Sequence, residues 1–122
     1  MSNVREKQLS EKRGDFRHTL SLETEVHFHG HNTAGMFNCR TKNIGLNGVY
    51  LPSKARLISS NMDIELVFVA HFRTATPKRY RLKAQVVRSS DNGTGLAFPE
   101  LNSDQQQDFR RFLFRAKVAA RH

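Results

Sequence analysis

The sequence predicts a mainly β domain: a small six-stranded antiparallel β-barrel with a C-terminal α-helix and a flexible N-terminal arm. Three observations lead there. From Leu20 onward apolar residues alternate with polar ones in short blocks, the period of a half-buried strand. The turn signals Asn47-Gly48 and Asp91-Asn92-Gly93 separate those blocks, and such pairs are strong hairpin cues. After Pro99 the period becomes helical, with Phe109, Phe112, Leu113 and Ala116 in phase. At 122 residues and 14.0 kDa the chain fits one domain with a real core.

The arm is residues 1–17, where Arg5, Lys7, Lys12, Arg13 and Arg17 stand among Glu6, Glu11 and Asp15 with almost no apolar partner. Such a segment cannot bury enough surface to dock alone. Residues 18–122 form the folded unit. Leu20, Leu22, Thr24, Val26 and Phe28 share one face of the first strand, which ends near Gly30. The second strand, Gly35 to Lys42, aligns Phe37, Cys39 and Thr41, and the third, Val49 to Leu51, follows the Asn47-Gly48 turn. Ile64, Leu66, Phe68, Ala70 and Phe72 define the fourth strand, and Tyr80, Leu82, Ala84 and Val86 the fifth. The sixth, Gly95 to Phe98, is closed by Pro99, which has no backbone donor. Six strands suffice to close a small barrel. A helix over about 103–118, capped by Ser103, then lies across one barrel mouth.

Charge narrows the function. Twenty Lys+Arg against eleven Asp+Glu leave a formal charge of +9, which favours an anionic partner. The single cysteine, Cys39, excludes an internal disulfide, and the charged opening is unlike a secretory signal, so the cytoplasm is the expected compartment. The longest apolar run, Leu66 to Ala70, is far below the roughly 20 residues of a membrane-spanning helix. No nucleophile with its base, no carboxylate pair and no phosphate loop is evident, so an enzyme is not expected.

Two motifs carry the chemistry. Arg13-x-x-x-Arg17 stands just before the first strand, and Asn43-Ile44-Gly45-Leu46-Asn47-Gly48 forms the loop before Val49. Four residues apart on an extended chain, the two guanidinium forks point the same way, and Gly14 between them permits a bend. Each fork can pair bidentately with a planar or anionic acceptor and can stack on a ring face, which the point charge of a lysine cannot.

In this order and approximate spacing the motifs resemble the PilZ domain family, whose signature is Arg-x-x-x-Arg followed at a distance by Asp/Asn-x-Ser-x-x-Gly. Gly95-Leu96-Ala97-Phe98 looks like that family's closing Gly-x-x-Phe strand, and the resemblance extends from Lys12 to the C-terminal helix. It implies a non-catalytic receptor for cyclic di-GMP with no cofactor, acting on a downstream protein partner as the ligand orders the arm. Carried over by position, Arg13 and Arg17 clasp the ligand, Asn43 reads a base, and Gly45 occupies the place of the family's serine, so a hydroxyl contact is missing. Gly48 supplies a positive φ for the turn, and Lys12 is placed for a further phosphate.

Other signals point elsewhere. Lys78-Arg79-Tyr80-Arg81 is basic and holds an aromatic, so a β-barrel binding single-stranded nucleic acid is the alternative. His27, His29 and His31 recur at every second residue, a spacing that puts them on one strand face, but no second ligand cluster supports a metal. Cys39, in phase with Phe37, reads as a small core residue.

Overall fold

The structure, a computed structural model, describes residues 19–72, 76–99 and 101–120, with the side chain at 56 excepted. The strands are β1 (Glu23–His29), β2 (Ala34–Arg40), β3 (Asn43–Ile44), β4 (Gly48–Leu51), β5 (Asp63–Ala70), β6 (Lys78–Ser90) and β7 (Gly93–Ala97), followed by helix α1 (Ser103–Ala120). A 3-10 turn, Ser53–Leu57, links β4 towards β5. All neighbours pair antiparallel, in the order β2-β1-β5-β6-β7-β4-β3.

Alternation in the sequence sets the face each residue takes, and the register sets which residues meet. Phe37, Val26, Leu66 and Leu82 are successive cross-strand partners on one half of the sheet. Val86, Leu96, Val49 and Ile44 do the same on the other. Apart from half-buried Phe37, every member of these two rows is buried, so the rows form the inner face. Strand β6 serves both halves. Its register shifts between Val86 and Arg88, and the bulge turns Val87 out to solvent at 64% exposure and bends the strand from β5 towards β7.

The expected six-stranded barrel is not formed. Among the described residues the sheet has seven strands and is open, with β2 and β3 as its edges. Only Thr41 and Lys42 lie between those edges in the chain. The Thr41 N–H donates to the Leu22 carbonyl at 3.0 Å and the Lys42 N–H to the Tyr50 carbonyl at 2.9 Å. Consecutive residues thus bond in opposite directions, and no ladder joins the edges among the described residues. Strand count does not decide closure, because closure also needs a register stagger that alternation does not encode.

Helix α1 covers part of the inner face. Phe109 is fully buried and stacks on Phe68 with ring centroids 5.9 Å apart, meets Phe98 edge-on at 5.5 Å, and lies 5.2 Å from Tyr80. Burial first, and Asp108 second, push the Tyr80 phenol up to about 12. The cap lies one residue before the expected Ser103. Asn102 Oδ1 accepts from the Gln105 N–H at 2.8 Å, and Gln105 Oε1 accepts from the Asn102 N–H at 3.0 Å. That is a reciprocal capping box.

On the outer face Val67 and Val69 are also buried. They are flanked by the ion pairs Arg79–Glu25 at 2.8 Å and Arg81–Glu65 at 2.7 Å and by the His71–Glu23 hydrogen bond at 2.9 Å. The Arg79 guanidinium, helped by His27, holds the Glu25 carboxyl down to about 2. No helix among the described residues is long and apolar enough to cross a membrane.

Candidate ligand-binding site

The entrance to β1 is tied to the exit of β2 through one threonine. Thr41 is buried, its hydroxyl donates to the Leu20 carbonyl and accepts from the Leu22 N–H at 2.9 Å. Arg40 adds two bonds from its guanidinium, to the Ser21 hydroxyl at 2.8 Å and the Ser21 carbonyl at 2.7 Å. Leu20 and Leu22 are buried in the core. The chain therefore enters the fold beside Thr41, two residues before Asn43. Lys12, Arg13 and Arg17 themselves lie outside the described residues, as does the expected arm.

Asn43 was expected in a loop, yet it begins β3 and pairs with Tyr50. Its neighbour Ile44 is fully buried on the inner face, so Asn43, half-buried, belongs to the outer face. Two residues suffice for this strand because Ile44 anchors it in the core. The hairpin closes through the Gly45 N–H, which donates to the Gly48 carbonyl at 2.9 Å. Its tip is held to β7 by the Phe98 N–H donating to the Asn47 carbonyl at 3.0 Å.

Gly48 does not have the positive φ expected of it; among the described glycines only Gly93 does. Its requirement is space. A Cβ on Gly48 would fall well inside van der Waals contact with the Leu96 carbonyl oxygen and 3.4 Å from the Ala97 Cα, since Gly48 lies opposite Ala97 on β7. Gly45 is buried, and it is not held at a positive φ. If Gly45 stands in the place of the family's serine, Gly45→Ser should tighten ligand binding or leave it unchanged, as read by calorimetric titration. A severe loss with the fold intact would show that no hydroxyl is accommodated there.

Two residues that sequence reasoning passed over, Tyr50 and Arg88, join Asn43 on the outer face, with Gly95 between them. Asn43 pairs with Tyr50, Tyr50 with Gly95, and Gly95 with Arg88, so four strands contribute to one lateral row. Tyr50 lies against Gly93, where a Cβ would meet its ring at 2.8 Å. The Lys42 ammonium sits 5.7 Å from the Tyr50 ring centroid and donates to the Asn92 carbonyl at 3.0 Å. Alternation could place each of these residues on an outward face, but only the register brings them side by side.

The remaining signals resolve on geometry. Tyr80 turns inward against Phe109 and Phe112, so it is not a platform for a base, and Arg79 and Arg81 are held by carboxylates. His27 meets Glu25 at 3.0 Å, while His31 lies beyond the end of β1 and leaves the shared strand face. Cys39 is half-buried, and burial pushes its thiol up to about 11, so it stays protonated and poorly nucleophilic at neutral pH.

The family model described as PilZ domain matches residues 11–115, from just before Lys12 through most of α1. None of the curated proteins matches the chain.

Proposed function

Because the chain belongs to the PilZ domain family, a family of non-catalytic cyclic di-GMP receptors, we propose that it binds this bacterial second messenger in the cytoplasm, between its N-terminal arginines and Asn43, and relays the bound state to a downstream protein. The observation that carries this role is the tie at Thr41. Arg17 is three residues before Leu20, so at most roughly 11 Å of extended chain separates it from the carbonyl that Thr41 holds. Asn43 is two residues beyond Thr41 on the other side. Both halves of the motif thus start from one buried hydroxyl.

The chemistry follows from the ligand's parts. Cyclic di-GMP presents two guanine edges and two phosphodiester charges. Arg13 and Arg17 bond guanine O6 and N7 or phosphate oxygens in bidentate pairs, and Lys12 adds charge near a phosphate. The Asn43 carboxamide both donates and accepts, as a guanine edge requires. Gly45 lets the backbone approach the ligand, and Gly48 keeps the hairpin seated on β7.

The test is a calorimetric titration of the full chain. Cyclic di-GMP should bind near the micromolar range, about 8 kcal/mol, with GMP and cyclic di-AMP much weaker. Absence of heat at hundreds of micromolar ligand overturns the receptor role. Binding to many single-stranded sequences that falls steeply with salt would instead support the nucleic-acid alternative.

A further inference from the structure

Arginine side chains among the described residues are almost all engaged. Among the described residues Arg40 bonds Ser21, Arg79 and Arg81 bond Glu25 and Glu65, Arg111 meets Asp108, Arg115 lies over Phe72, and Arg110 also has an interaction. Arg88 alone among them has neither a hydrogen bond nor an ion pair nor a ring beneath it, and it is exposed. An unpaired guanidinium on an open surface costs nothing by itself, since water solvates it. Its position is what distinguishes it.

Arg88 ends the outer-face row that begins at Asn43. Three strand spacings separate the two, roughly 14 Å, and Gly95 between Tyr50 and Arg88 carries no side chain to divide them. A Cβ on Gly95 would lie 3.8 Å from the Tyr50 ring and 3.9 Å from the Arg88 Cβ, so both side chains rise from the same face directly beside it. The bulge at Val87 sets this orientation. It takes up one residue between Val86, which faces the core, and Arg88, which then points outward opposite Gly95.

We propose that Arg88 is a further ligand residue of the cyclic di-GMP site, a third guanidinium that meets the end of the ligand farthest from Asn43. The inference rests on the receptor role proposed above. A guanidinium there bonds a guanine edge or a phosphodiester oxygen, and the Tyr50 ring with the Lys42 ammonium above it lies on the line between the two ends. The site then extends across β3, β4, β7 and β6 rather than ending at the hairpin.

Titration of the full chain with cyclic di-GMP tests this, using Arg88→Ala, Arg88→Lys and, as an equal loss of charge elsewhere on the sheet, Arg79→Ala. Arg88→Ala should weaken binding by at least about tenfold, the loss of one bidentate pair, and lysine should restore little of it. Arg79→Ala should bind as the wild type does, and all three should give wild-type circular dichroism spectra. A wild type that binds while Arg88→Ala stays within about twofold of it overturns this inference and leaves the receptor role standing. An Arg79→Ala loss as large as that of Arg88→Ala also overturns it, because net charge would then be the cause. A wild type that binds no cyclic di-GMP overturns both.

Discussion

Gly48→Ala is expected to destabilise the domain by about 3 kcal/mol or more, because the methyl group would be driven into the backbone of β7 rather than into a side chain that can swing away. The atoms it would meet, the Leu96 carbonyl oxygen and the Ala97 Cα, belong to a strand paired on both sides, by β4 and by β6. Neither can move without loosening two ladders. For a domain of this size the loss corresponds to a fall in Tm of roughly 10 °C or more, measurable by thermal or urea unfolding. Gly95→Ala is the matched control. Its nearest neighbour would be 3.8 Å away, ordinary contact, so stability should change by no more than about 1 kcal/mol. Gly48→Asn separates steric need from conformational need. Asparagine tolerates a left-handed backbone but is larger than alanine, so it should be at least as damaging. Rescue by asparagine would show that the turn conformation, not the close approach to β7, demands the glycine.

That distinction marks where the sequence stops being legible. Strand positions and facing could be read because burial repeats every second residue: Val26, Leu66, Leu82 and Leu96 all lie inward as their alternation requires. The β6–β7 hairpin at Asp91-Asn92 and the helical phase of Phe109, Phe112, Leu113 and Ala116 were equally local signals. What escaped was relational. Glycine in Asn47-Gly48 looks the same whether it serves a positive φ or a close approach, and only the pairing with Ala97 decides. Asn102 and Ser103 are both good caps, and the reciprocal bond with Gln105 selects the first. The switch of β6 from one partner to another depends on a single bulged residue, Val87, within a continuous strand pattern. The outer-face row of the candidate site depends on the register of four strands, which no local spacing contains.

Arg13→Ala and Arg17→Ala are each expected to abolish most cyclic di-GMP binding, while leaving unfolding curves unchanged because the core begins at Leu20. Each bidentate pair to a guanine edge is worth about 1–3 kcal/mol, and loss of either fork also leaves the other without a ligand fixed against it, so the effects should not add independently. Lysine at either position should rescue little, since a point charge cannot reproduce the fork or stack on a base. Binding is also expected to order the segment that carries them. Residues 1–17 contain too few apolar side chains to dock by burial, whereas phosphates and guanine edges supply charge-compensated bonds along Lys12 to Arg17. Ordering costs roughly 1 kcal/mol or more of backbone entropy per residue, which limits it to the few residues that gain bonds. Hydrogen exchange should therefore show new protection over residues 12–18 on addition of cyclic di-GMP, with little change in β5 and β6. Equal protection with and without ligand would mean a preformed pocket and remove arm ordering as the relayed signal. Residues 12–18 still unprotected at saturation would mean that Arg13 and Arg17 are not the clasp. Deleting residues 1–17 separates folding from function: Leu20, Leu22 and the Thr41 tie remain, so the sheet should keep its Tm while binding and any ligand-dependent partner recognition are lost.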